Sequence, residues 1–143
     1  TMEVINRVYP NEEQIKGFLD PGTEGPICMV NLLKFKAKAE YEDGRETDLT
    51  GREAYELYTK GVKNLLQGVG GCIGFEGDVE RLTLGEVEEL WDLVALAVWP
   101  SRQVMLEVMQ SQGMREIGLH RTAGLAGQLN IETAGFAGHW LEG

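Results

Sequence analysis

The chain has 143 residues, of which 43% are hydrophobic, and this is enough for one domain with one core. Its formal net charge of -10 argues against nucleic-acid binding, which draws its affinity from cationic groups that neutralise phosphates. No run reaches the roughly 18 apolar residues that span a bilayer, and no signal-peptide pattern opens the sequence. Cys28 and Cys72 lie in predicted strands, so we expect reduced, buried thiols in a cytoplasmic protein without a membrane partner.

The first predicted elements are a short helix and a buried strand. Asn11 followed by Gln14 is a helix-capping pattern, and DPGTEGP over residues 20–26 predicts a flexible joint. Residues 27–35, ICMVNLLKF, are nearly all apolar, which is typical of a central strand covered on both faces. The highly charged stretch 36–48 predicts a hairpin-like excursion or a mobile loop.

A second helix and two further strands follow. Thr50 and Glu53 form a capping box, after which apolar residues recur at helical spacing. Residues 72–84 alternate in polarity and are interrupted at Gly77, which predicts a strand with a bulge or kink. Residues 90–99, LWDLVALAVW, predict a second central strand.

The Trp99-Pro100 junction ends that strand, because proline cannot donate to a ladder. A helix is expected over 101–121, with an interruption near 111–113. The last strand is expected at 128–133, after a turn.

The order from residue 27 onward is β-α-β-β-α-β, which predicts an α+β, ferredoxin-like fold with a four-stranded antiparallel sheet. We expect a single domain over 1–143, with an N-terminal helix and joint at 1–25, the ferredoxin-like core at 26–133 and a tail at 134–143. Both helices of this fold cover the same sheet face. Because the central strands are apolar on both faces, we expect a homodimer through the uncovered sheet faces.

Several stretches resemble the dimeric α/β-barrel superfamily, and within it an uncharacterised family, a domain of unknown function. They are PICMVNLLKFK, TGREAYELY, WDLVALAVWPSRQVMLEVMQS and HRTAGLAGQ, and the resemblance covers residues 26–133. It implies a two-fold dimer whose sheets face each other and, as in many relatives, a site between the sheet and the helices of each subunit. Relatives include cofactor-free monooxygenases, haem-degrading enzymes, lactone isomerases, polyketide cyclases and ligand-sensing domains, so no single activity is implied.

The resemblance also bears on cofactors. Haem-degrading relatives carry an asparagine on the first strand, which Asn31 matches, and an axial histidine in the region of His120. They also carry a tryptophan earlier in that helix, where this chain has Val-Met-Gln at 108–110. This departure argues against haem, and the cysteines and histidines, His139 included, lack metal-ligand spacing. We therefore expect no cofactor and no metal.

Candidate catalytic residues are His120 and Asn31. A histidine titrates near neutrality and is suited to proton transfer, and an amide within an apolar strand requires polar partners. Arg121 adds a donor fork suited to a carboxylate or phosphate. The alternatives are a structural hydrogen bond for Asn31 and a solvated helix end for the basic pair.

Four further residues are candidates for ligand binding. Trp99 closes a strand beside small alanines, Tyr55 and Tyr58 share a helix face, and Met109 belongs to a methionine-rich helical stripe that could adapt to a ligand. The alternative for each is a place in the hydrophobic core, which the pattern favours for Trp99, Tyr55 and Tyr58. In the same region, Gly113, Gly118 and Gly124 are poor helix formers, and we interpret them as sites of a break, close packing or backbone approach to a ligand.

Two functions remain open. One is a cofactor-independent enzyme of the monooxygenase, isomerase or cyclase type that acts on a small, apolar, oxygen-bearing compound, with His120 and Arg121 at the pocket mouth. The other is a non-catalytic binding or structural homodimer. An acid/base pair at Glu76 and Asp78 is a further interpretation, with solvated strand-edge carboxylates as its alternative.

Overall fold

The structure, a computed structural model, describes residues 3–20, 22 and 24–137. It contains helices and a single four-stranded sheet within that part of the chain. In chain order the elements are α1 (Glu12–Phe18), β1 (Ile27–Phe35), α2 (Gly51–Gly68), β2 (Cys72–Asp78), β3 (Leu93–Trp99), α3 (Arg102–Met109), α4 (Gln112–Gly124) and β4 (Leu125–Ala134).

Each helix begins at a polar cap that satisfies backbone N–H groups left without partners in the first turn. Asn11 and Thr50 form the predicted capping boxes of α1 and α2. Ser101 and Ser111 accept hydrogen bonds from backbone N–H groups at the starts of α3 and α4. The cap at Ser111 explains the predicted interruption near 111–113, because a new helix, α4, begins after it.

The sheet has the strand order β2-β3-β1-β4, and all neighbouring strands are antiparallel. This arrangement confirms the predicted ferredoxin-like fold. Register places Asn31 opposite Ala95 on one side and Asn130 on the other. Because side chains alternate across a strand, these three residues share one face of the sheet.

That face packs against the helices, and the main core lies there. The buried cluster at one end of the face joins β1 and β3 to helices α2 and α3, with Phe18 of α1 and Met114 of α4 packed against it. Its buried members are Ile27, Met29, Leu66, Ala97, Trp99, Met105 and Val108. At the other end Leu33 and Leu125 pack against Tyr55 of α2.

The opposite face of the sheet, which we call the outer face, carries apolar side chains that are only partly covered. Val30, Leu32, Val94 and Leu96 are partly exposed, whereas Val98 is buried. Phe75 and Ile131, also on this side by register, are 50% and 49% exposed. The apolar character predicted for both faces of the central strands is therefore present.

Four sequence predictions need correction. The strand predicted over 72–84 ends at Asp78, and its irregularity lies between Ile73 and Phe75 instead of at Gly77. No turn precedes the last strand, because α4 continues to Gly124 and leads directly into β4. The stretch 36–48 forms no hairpin: it is a loop, the second predicted alternative, and its Ala39 and Tyr41 are buried against α2 and α4. Cys28 is buried as expected, but Cys72 is only partly buried.

Candidate functional site

A cavity of about 1080 Å³ lies between the helix-facing side of the sheet and the helices, with the N-terminal segment as a further wall. Sheet residues form its floor, and α2, α3 and α4 contribute side chains from above. The size is at the upper end of the range typical of small-molecule sites, which is roughly 300–1,000 Å³. We call it the sheet–helix cavity.

One end of the sheet–helix cavity is polar and centres on Arg121 of α4. Arg121 Nη2 donates to Gln128 Oε1 at 2.6 Å, and Gln128 Nε2 donates to Asn31 Oδ1 at 2.8 Å. Asn31 Nδ2 completes the chain by donating to the backbone oxygens of Met29 and Ala95 at 3.2 and 3.3 Å. Asn31 thus makes structural hydrogen bonds, which the sequence analysis gave as the alternative to a catalytic role, and it also lines the cavity.

Two phenols from α2 line the same cavity. Tyr55 and Tyr58 pack against each other with ring centroids 5.3 Å apart. Burial raises the pKa of both hydroxyls, while the positive charge of Arg121 acts in the opposite direction, so both phenols are neutral at physiological pH. Their rings belong to the core, and their hydroxyls are available as neutral donors.

The other end of the cavity is apolar and rich in sulfur. Met105 and Trp99, only 3% and 5% exposed, form part of its wall together with the more exposed Met109. Met29 and Met114 complete a group of flexible, polarizable side chains that adapt to irregular shapes. Trp99 therefore fills the core and lines the cavity at once, because the alanines beside it leave space.

The N-terminal segment supplies a wall that the sequence did not predict. Residues from Ile5 to Phe18 line the cavity, and Arg7 forms an isolated bridge to Gln128 at the free edge of β4. The hydroxyl of Tyr9 donates to the Glu42 carboxylate, which ties this segment to the loop before α2. The signal available in the sequence was the apolar side chain of Phe18 in α1, which packs against the core.

Arg102 fastens the joint that follows α1. Its Nε donates to the Glu132 carboxylate oxygens at 2.9 and 3.2 Å, and its Nη1 donates to the backbone oxygen of Asp20 at 2.8 Å. Arg102 thus joins the start of α3 to Glu132 on β4 and to the joint after α1.

His120 does not lie where the sequence analysis placed it. Its side chain is not among the cavity-lining residues of the part of the chain that the structure describes. Instead, His120 Nδ1 shares a hydrogen bond of 2.6 Å with the hydroxyl of Tyr41, and the two rings meet edge to face. Burial, and next the charge of Arg45, lower the pKa of His120. His120 and Arg121 therefore face different surroundings, and the expected shared pocket mouth is absent there.

The three glycines of α4 have different surroundings. A Cβ at Gly124 would lie 2.3 Å from the backbone oxygen of Gly51, so this glycine allows α2 and α4 to approach closely. A Cβ at Gly113 would lie 3.0 Å from Leu65. Gly118 lines the cavity, and a Cβ there would meet no described atom within 4 Å. The open space beside Gly118 belongs to the sheet–helix cavity.

The described residues contain neither a cluster suited to a metal ion nor a helix suited to crossing a membrane. Among the described residues, no group of three or more histidine, cysteine or acidic side chains is arranged to hold a metal ion. No helix in the described ranges is long and apolar enough to cross a membrane. His139 and the end of the predicted tail, from residue 138 onward, lie outside the described residues.

The fold and cavity define a ferredoxin-like α+β protein with an internal site between sheet and helices. No protein-family model matches the sequence, and no curated protein matches it. A crystal structure of methylated RPA0582 protein superposes with a TM-score of 0.83 at 32% identity and covers 92% of this chain and 96% of that chain. The chain therefore belongs to the family of the RPA0582 protein.

Two further structures complete the comparison. One is RPA0582 from Rhodopseudomonas palustris, described as a protein of unknown function, with a TM-score of 0.82 and 28% identity over 94% of this chain and 100% of that chain. The other is a dimeric protein of unknown function and ferredoxin-like fold from Bacteroides fragilis NCTC 9343. It has 8% identity and a TM-score of 0.49, and covers 76% of this chain and 94% of that chain.

Proposed function

We propose that this protein binds a small, apolar, oxygen-bearing organic compound in the sheet–helix cavity. The observation that carries this proposal is the cavity itself: about 1080 Å³, with an apolar wall and one polar end around Arg121. Small-molecule sites combine a mostly apolar lining with a few polar groups that orient the ligand. The space beside Gly118 supports the same proposal. A glycine within a helix lowers the stability of the protein, and the open space that it leaves in the cavity offers a reason for its presence.

Cofactor-independent catalysis of the isomerase or cyclase type is the second candidate, and Glu76 is the observation in its favour. Its carboxylate lines the cavity and influences the pKa of Tyr55. A carboxylate base opposite an Arg121–tyrosine group would suit the formation of an enolate. Glu76 also forms an ion pair with Lys63 at 3.3 Å, which positions its carboxylate. Exchange of solvent deuterium into a keto acid, lost in Glu76→Gln, would establish this activity.

Binding itself can be tested with N-phenyl-naphthylamine, an uncharged probe whose fluorescence rises in apolar surroundings. We expect the wild-type protein to enhance its emission and Gly118→Leu to abolish the enhancement, because the new side chain would occupy the cavity. Gly68→Leu is the matched control: Gly68 is an exposed helical glycine outside the cavity lining, and a Cβ there meets no described atom within 4 Å. Equal enhancement by both variants, or none by the wild type, contradicts the proposal.

We also propose the assembly expected for the dimeric α/β-barrel superfamily, a homodimer through the outer face. The support is the set of apolar side chains on that face, with Phe75 and Ile131 about half exposed. Burial of apolar surface stabilises by roughly 25 cal/mol per Å², so a second sheet is an effective cover. The cytoplasmic location of the dimer rests on the sequence alone.

The dimer is tested by sedimentation equilibrium at micromolar concentration. Leu96 lies on the outer face, in register with Val30, and Leu96→Asp should shift the mass of the assembly to that of one chain. Leu57→Asp makes the same change at a 44% exposed site on α2 and should leave the dimer intact. A wild-type mass equal to one chain would remove this part of the proposal.

A further inference from the structure

From the geometry of the polar end, we propose that the natural ligand is an amphiphilic monocarboxylic acid whose carboxylate binds Arg121, with Tyr55 and Tyr58 as additional donors, and whose apolar tail extends toward the methionine-rich end. This inference rests on the proposed function, because it names the class of compound that enters the sheet–helix cavity.

The first observation is that Arg121 has no ion-pair partner among the described residues. Five lysines and arginines in the described part of the chain are partly buried: Lys34, Lys36, Arg52, Arg102 and Arg121. The first four each have a carboxylate within 4.0 Å. Arg121 has none among the described residues, and its recorded partner is the neutral amide of Gln128. A desolvated cation is costly without an opposite charge, so a ligand anion would complete this site.

The second observation concerns the hydroxyls beside this cation. Tyr55 is only 7% exposed, yet neither its hydroxyl nor that of Tyr58 has a hydrogen-bond partner among the described residues. No buried side-chain oxygen or nitrogen in the described ranges is both fully enclosed and unpartnered. Both hydroxyls therefore keep access to the cavity that they line. A planar guanidinium and two neutral phenols provide hydrogen-bond donors. A carboxylate accepts such hydrogen bonds, whereas a protonated amine has no acceptor to offer.

The third observation is the distance to the apolar end. Gln128, the partner of Arg121, lies opposite Leu33, and Glu132 lies opposite Met29. The four intervening steps along β4 correspond to roughly 13 Å at the usual rise of a strand. Met29, Met105 and Trp99 belong to the core at that far end. A medium-chain or arylalkanoic acid would reach it, whereas acetate would not.

Isothermal titration calorimetry with octanoate and with octanamide tests this inference, because the two probes share a tail and differ in head-group charge. We expect octanoate to bind at least about tenfold more tightly, since hydrogen bonds to charged groups contribute more than neutral ones. Arg121→Gln should remove this difference. Arg81→Gln should preserve it, because Arg81 is exposed and is not among the described residues that line the cavity. Tyr55→Phe/Tyr58→Phe retains both rings and should weaken octanoate binding, which provides a second test if Arg121→Gln fails to fold.

The outcomes separate this inference from the proposed function. Equal affinity for both probes, or a preference for octanoate that persists in Arg121→Gln, overturns the carboxylate assignment. The carboxylate assignment is also wrong if neither octanoate nor octanamide binds. If N-phenyl-naphthylamine still binds the wild type and not Gly118→Leu in that case, the cavity remains a binding site for another class of ligand. If N-phenyl-naphthylamine fails as well, both proposals are wrong.

Discussion

The substitution Gly118→Ala should make the protein more stable, because it adds a methyl group where the structure has open space. Glycine in the middle of a helix costs roughly 0.5–1 kcal/mol relative to alanine, mainly through the conformational entropy of the unfolded chain. Gly118 lies inside α4, and a Cβ there meets no described atom within 4 Å. With no steric penalty to offset the gain, we expect a stabilisation of about 0.5–1 kcal/mol and a melting temperature raised by roughly 2–4 °C.

The matched variant Gly124→Ala should have the opposite effect. Its Cβ would lie 2.3 Å from the oxygen of Gly51 and 3.0 Å from the nitrogen of Tyr55, and both are backbone atoms of α2. The helices would have to separate, at a cost of about 1–3 kcal/mol that exceeds the gain in helix propensity. Urea denaturation and thermal melts of both variants are the assays. A loss of stability in Gly118→Ala would mean that the space beside this glycine is not open, and would refute both this reasoning and the cavity boundary.

Three further predictions concern charge and cofactors. Because the pKa of His120 is lowered in the folded protein, the unfolded chain binds more protons at this residue as the pH drops below the unfolded value of 6.5, and the free energy of unfolding decreases. The melting temperature of His120→Gln should therefore depend less on pH in that range than the melting temperature of the wild type. Arg102→Lys keeps the charge but loses the planar fork, and should cost about 1 kcal/mol in chemical denaturation, whereas Arg115→Lys should be neutral. Purified protein should show neither a Soret band nor stoichiometric metal by elemental analysis, and either signal would contradict the interpretation of residues 108–110.

The fold was predictable because its determinants are local in the sequence. A nearly continuous apolar run indicated the limits of β1, and capping residues indicated the starts of α1 and α2. Boundaries failed where the decisive partner was distant. The alternation of residues 72–84 favours a strand throughout, but pairing with β3 ends at Asp78 opposite Leu93. Beyond that pair one more backbone hydrogen bond follows, from Val79 N to Asp92 O at 2.9 Å, and the strand does not continue in the described residues.

The polar end of the cavity was only partly predictable for the same reason. Asn31 and Arg121 drew attention individually as polar groups within apolar patterns. Gln128, which connects them, lies 97 residues from Asn31 in the sequence, and nothing in its local pattern indicates that contact. The N-terminal wall likewise depends on long-range contacts, such as the hydrogen bond of 2.7 Å from Trp91 to Asn6.

The separation of His120 from the cavity lining has a different origin, which lies in the geometry of α4. Successive residues of an α-helix are about 100° apart, so the residues that line a cavity form a stripe along the helix instead of a continuous run. Met114, Gly118 and Arg121 follow the spacing i, i+4, i+7, which places them on one stripe, and all three line the cavity. His120 falls off that stripe and meets Tyr41 instead. The stripe is broad enough to include the adjacent pairs Gly118–Leu119 and Arg121–Thr122, and His120 lies outside it. Residues three positions apart, here Gly118 and Arg121, share a helix face, and the empty space at Gly118 indicates what the cavity is shaped to receive.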